Sequence, residues 1–125
     1  MKQPLPLLCL LLLLYGCTPL VEQSSGWNHT QRVDLHTRLG LGYMEQDRLA
    51  AALESLQYAL SLAPDDSTAN HAMALLQLRL GDSNAARSHF EKALTTEHGN
   101  VAARNDFGSY LCEKGAAREG IAQFR

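Results

Sequence analysis

The chain has 125 residues, room for one ordinary domain, and its 11 Lys and Arg against 13 Asp and Glu leave a net charge of −2, with no basic footprint for nucleic acid. Apolar residues make up 46% but aromatic ones only 6%, so the core must be built from Leu and Ala, a composition of helices rather than sheets. These counts exclude a collagen-like repeat, a disulfide-dense mini-protein and a long charged tail.

The chain opens with Met1-Lys2-Gln3, one positive charge, and then Leu7–Tyr15 without a polar side chain. As a helix such a run reaches roughly 14 Å, about half the hydrocarbon thickness of a bilayer, which suits an export signal and not a membrane span. It closes on Leu14-Tyr15-Gly16-Cys17, which resembles a bacterial lipobox, although Tyr15 is bulkier than that slot usually holds. There a thiol is needed to carry diacylglycerol, and Gly16 gives the signal peptidase a residue without a side chain. Residues 1–16 are therefore expected to be a lipoprotein signal peptide and Cys17 the lipidated N-terminus; a plain secretory signal is the alternative. Thr18 in place of Asp points, by resemblance to Gram-negative lipoproteins, to the periplasmic face of the outer membrane. Residues 17–31, polar and broken by Pro19 and Gly26, read as a tether. Of the three Cys, only Cys112 lies outside the leader and lipidation site, so no disulfide framework is available; a small buried apolar role is expected, with intermolecular pairing the alternative.

From residue 32 onward a period organises the chain. Leu39, Met73 and Phe107 recur every 34 residues and are followed by the small Gly40, Ala74 and Gly108. Ala52, Ala86 and Gly120 recur at the same step, as do Leu56, Phe90 and Phe124, and then Ala59 with Ala93. Small and large residues in one register predict helix pairs near 32–46 and 49–62, 67–80 and 83–97, 101–114 and 117–125, with no strand. In each second helix the apolar positions share one face; Ala52 and Ala86 permit close helix crossing, with Gly40 and Gly108 opposite, while Leu56 and Phe90 reach toward the next pair. Gly81 and Gly115 fall where a helix must end with positive φ, and Asp47 takes that place in the first pair. Pro64 stops the second helix, and Asp65-Asp66-Ser67 offers capping oxygens for the third. Gly120 weakens the last helix, and Ile121 and Phe124 have no following helix pair, so either the array continues beyond Arg125 or another chain supplies a covering surface.

This pattern resembles the tetratricopeptide repeat, and the fold class expected is an all-α solenoid of antiparallel helix pairs: 33–66, 67–100 and a partial 101–125. Leu39, Gly40, Tyr43, Ala52, Leu56, Ala59 and Pro64 occupy motif positions in the first repeat, with His36 in the aromatic slot. Ala74, Ala86, Phe90 and Ala93 do so in the second, and Phe107 and Gly108 in the third.

No HExxH, Cys/His cluster, GxSxG, Walker loop or GxGxxG is present, so neither enzyme, metal, cofactor nor small-molecule substrate is expected. A solenoid of this class binds protein segments on its inner face. The expected groove positions are Leu41 and Met44, Leu75 and Leu78, and Ser109 and Cys112, with the polar Thr37, His71 and Asn105 beside them; part of this stripe can equally be core. The Lys, Arg and Asn array that some relatives use for acidic C-termini is missing from these slots.

Together, the lipobox, the tether and the stretches LGLGYMEQDRLAAALESLQYALSLAPD, AMALLQLRLGDSNAARSHFEKAL and NDFGSYLCEKGAAREGIAQF resemble the type IV pilus biogenesis/stability lipoprotein (PilW, also called PilF) family. Asn105-Asp106-Phe107-Gly108-Ser109-Tyr110-Leu111-Cys112 is the most family-like segment, close to an NNYGxFLC pattern and departing from it at Asp106, Phe107 and Tyr110. The resemblance implies a pilotin: a lipid-held outer-membrane protein that binds secretin subunits and promotes their localisation and multimerisation. It also implies a longer repeat array than this one. The alternative expectation is an envelope scaffold that binds peptidoglycan enzymes or the outer-membrane protein insertion machinery.

Overall fold

The computed structural model describes residues 26–95 and 100–125. The readings of residues 1–25, including Cys17, and of His98 lie outside the described residues.

Among the described residues six helices follow one another: α1 (His29–Glu45), α2 (Leu49–Leu62), α3 (Ser67–Leu80), α4 (Ser83–Ala93), α5 (Val101–Glu113) and α6 (Ala117–Gln123). They pair as α1 with α2, α3 with α4 and α5 with α6, and successive pairs stack through α2 on α3 and α4 on α5. The fold is all-α, an array of antiparallel pairs, and among the described residues no helix is long and apolar enough to cross a membrane.

The local chemistry of each helix start and stop is visible. α1 begins three residues earlier than the sequence pattern suggested, inside the stretch read as tether. The reason is a capping box: the Asn28 side chain accepts from the Gln31 N–H at 2.9 Å, and the Gln31 side chain accepts from the Asn28 N–H at 3.0 Å. Asp66, Asp82 and Asn100 cap α3, α4 and α5 through their side-chain oxygens. Chain reversal within each pair needs a left-handed residue, and Asp47 (φ 57°), Gly81 (φ 83°) and Gly115 (φ 79°) supply it. α4 is the clearest departure in length, ending at Ala93 rather than running on to residue 97. There the Leu94 N–H is satisfied by carbonyls of the last turn.

Packing follows the size alternation. Ala52, Ala59, Ala74, Ala86 and Ala93 have no exposed surface. A Cβ on Gly40 would lie 2.5 Å from Leu56 Cγ, so the α1–α2 crossing requires hydrogen at that position. The α5–α6 crossing is tighter still, since a Cβ on Gly120 would meet the Gly108 carbonyl oxygen at 2.8 Å and the Cys112 nitrogen at 3.1 Å. Between pairs, Leu56 clusters with Met73, Ala72 and Leu76, and Phe90 with Phe107, Tyr110 and Leu111.

Two expectations are corrected. Leu39, at the same repeat position as the buried Met73 and Phe107, is 39% exposed. Met73 and Phe107 are buried because a preceding helix pair covers them, and among the described residues no pair precedes α1. Cys112, expected to be buried, is exposed: it lies at the edge of the α5–α6 crossing, its sulfur against Gly120, which has no side chain to cover it.

Candidate functional site

α1 packs on α3 as well as on α2, so the first helices of the pairs line one side of the array. A cross-helix contact continues that side to α5: His71 Nε2 lies 2.7 Å from Asp106 Oδ2, and the His71 ring sits 6.2 Å from Phe90. The inner side is therefore a surface written by α1, α3 and α5.

The expected groove residues divide by burial. Leu41, Leu75 and Leu78 are half-buried, each packed against the core with one edge left to solvent. Asn105 and Ser109 are exposed on α5. Thr37 and Met44, also expected on this surface, are instead buried, at 2% and 6% exposure. The Thr37 hydroxyl donates to the Val33 carbonyl one turn back at 2.8 Å, which leaves it no need of water. Met44 is a flexible thioether that fills the space between the first two pairs beside Leu56 and Met73. What remains accessible is an apolar strip along α1 and α3 that turns polar on α5. At the N-terminal end of this side, Thr30, Asp34, Thr37, Asp66 and Thr68 surround a recess of about 320 Å³.

Several residues that hold this surface in place were not singled out by the pattern. Arg79 donates to the Met44 carbonyl at the end of α1. Asn70 is wholly buried: its amide donates to the Pro64 carbonyl at 2.8 Å and the Asp66 carbonyl at 2.9 Å, and its oxygen faces His89 Nδ1 at 2.9 Å. With both Asn70 hydrogens committed, His89 Nδ1 must donate. Burial, with a smaller contribution from Lys92, pushes the His89 pKa down, which favours the neutral ring. Arg87 bonds Glu119 at 2.7 Å and Glu91 at 3.0 Å, tying α4 to α6, and the Glu119 bond is the main reason its pKa is raised. A signal for two of these contacts was present: His71–Asp106 and Met44–Arg79 are both 35 residues apart, one repeat plus one residue.

Among the described residues, no three His, Cys, Asp or Glu side chains come together to hold a metal ion. The surface offers shape, apolar contact and hydrogen bonds.

The tetratricopeptide repeat matches at residues 33–66 and again at 67–97. The chain belongs to the tetratricopeptide-repeat family. It is similar to the type IV pilus assembly protein PilF of Pseudomonas aeruginosa, 28% identical over 81 residues, which is 65% of this chain and 32% of that protein. A solved structure from a functional characterisation of Pseudomonas aeruginosa pilF superposes with a TM-score of 0.72 at 25% identity, covering 76% of this chain and 43% of that one. This tetratricopeptide-repeat chain thus spans about a third of the length of the curated relative it matches.

Proposed function

We propose that the chain is a non-enzymatic adaptor in type IV pilus assembly, a pilotin that binds secretin subunits and promotes their localisation and multimerisation at the outer membrane. The similarity to the type IV pilus assembly protein PilF, in sequence and in fold, carries this reading. In it, residues 1–16 are a removed leader, Cys17 bears the lipid, and a short tether leads into the repeats of residues 32–125. Leu41, Leu75 and Leu78 supply the apolar strip that receives a secretin segment, while His71, Asn105 and Ser109 bond its main chain. Thr37 and Met44 support the strip from beneath. Lipid attachment plus capture is sufficient for piloting: the anchor sets the destination and the groove selects the cargo, with no bond made or broken. A bacterial lipoprotein N-terminus carries several acyl chains, enough for durable attachment.

The test is a deletion strain assayed for secretin multimers and twitching motility. Loss of multimers on deletion, with restoration by the wild-type gene, is expected; unchanged multimers would remove the reading, and altered cell shape would favour the envelope scaffold. Cys17→Ser should release the protein into the soluble periplasmic fraction. Leu75→Glu should weaken secretin capture, and Asn105→Arg, at an exposed position, should do so without any change in melting temperature.

A further inference from the structure

The His71–Asp106 contact sets the chemistry at the polar end of the inner surface. An ionised carboxylate only accepts, so His71 Nε2 donates to Asp106 Oδ2 across the 2.7 Å between α3 and α5. The His71 side chain is only 14% exposed and lies against Phe90, whereas the Asp106 side chain is 47% exposed. His71 therefore holds the carboxylate from beneath, and Asp106 is the member of the pair that a bound segment meets. Asp106 borders the apolar strip: His71 precedes Leu75 by one turn of α3, and Leu75 and Leu78 pack on the cluster of Phe90 and Phe107. The exposed Asn105 and Ser109 flank it on α5.

Among the described residues no Lys or Arg pairs with Asp106. Arg38 is held by Asp34, Arg79 by the Met44 carbonyl, and Arg87 by Glu91 and Glu119, while Lys114 lies over the Tyr110 ring. Glu113, seven residues after Asp106 and so on the same face of α5, is a second exposed carboxylate. A segment laid on Leu75 and Leu78 displaces water from the Asp106 side chain. A carboxylate that loses water without meeting an opposite charge is costly, and a basic side chain on the segment removes that cost. An acidic side chain adds like-charge repulsion instead.

We infer that Asp106 is the specificity-determining acceptor of the groove and His71 its positioning residue: the captured protein segment carries a Lys or Arg beside the apolar residues that Leu75 and Leu78 receive. This rests on the adaptor reading and names the chemistry of the segment bound. It also ranks the tasks of His71, whose Nε2 is committed to Asp106, leaving only Nδ1 for a partner's main chain.

Panning a random-sequence peptide library on the full chain, its apolar N-terminal run held in detergent micelles, tests this without presupposing the secretin. Captured peptides should combine apolar residues with Lys or Arg. Asp106→Asn, which keeps an acceptor for His71, should remove the basic preference, keep the apolar one and leave the melting temperature unchanged. For a captured peptide with one Lys, Asp106→Asn should weaken binding about three- to fivefold, the size of a partly exposed ion pair, and replacing that Lys by Ala should then cost nothing further. His71→Ala should act in the same direction, and His71→Gln, which retains an N–H donor, should restore binding. Three results overturn the inference: captured peptides without a basic preference, a preference that survives Asp106→Asn, or no captured peptide at all. Secretin multimers in the deletion strain decide the adaptor reading separately: their loss, beside a groove indifferent to basic residues, would keep that reading and remove this inference.

Discussion

The junction between the first and second helix pairs differs from that between the second and third, although the same backbone arrangement forms both. The first is aliphatic: Leu56, Met73 and Leu76 interlock, and Asn70, with all its polar atoms satisfied, ties the α2–α3 turn to α4. The second is aromatic and polar: Phe90, Phe107 and Tyr110 stack within 5.2 to 6.3 Å, and the His71–Asp106 hydrogen bond and the exposed Arg87–Glu119 ion pair flank them. Apolar packing responds little to salt, whereas exposed ion pairs are screened by it. The contrast shows that the repeat fixes which positions meet and leaves open the chemistry that holds them.

The largest effect should come from Phe90→Ala, which empties the centre of the aromatic junction and should cost about 3–5 kcal/mol in urea unfolding. Ala86→Leu tests the crossing within the second pair. Its Cβ has no exposed surface, so the added carbons should overpack and cost about 1–3 kcal/mol, read as a lower melting temperature. An unchanged melting temperature would place the helix register in error.

The pH dependence tests the polar side of the first junction. His89 has a folded pKa below its ordinary value, so the unfolded chain binds the proton more readily as the solution is acidified. The stability it contributes is complete above about pH 6.5 and is lost as the pH falls through the lower folded value. His89→Gln, which keeps an N–H donor for Asn70, should flatten the decline in melting temperature on the acid side. Smallest of all is Arg87→Ala: its pairs are solvent-exposed, so the drop in melting temperature should be slight and should shrink further in high salt. A larger, salt-independent loss would mean that the second junction relies on Arg87 for packing.

Sequence spacing made the array legible because each repeat alternates residues that permit helix contact with residues that fill the gap between pairs. The three left-handed positions, Asp47, Gly81 and Gly115, could be read from their place between apolar runs. The helix ends were less legible. Asn28 and Gln31 are ordinary polar residues until they cap each other, and that exchange moved the start of α1. The candidate site was legible as a face but not in depth. Periodicity places Thr37 and Met44 beside Leu41 and Leu75, yet whether a side chain folds under or stays out depends on which neighbouring pair covers it. Leu39 and Met73 make the same point, since equal repeat positions differ in burial according to what precedes them.

Amide hydrogen exchange on the Phe90→Ala chain gives the most direct test of the claim that helix pairs stack through two separable junctions. Protection should fall in α5 and α6 while α1 and α2 keep theirs. Equal loss across all six helices, or earlier opening of α1 and α2, would contradict it.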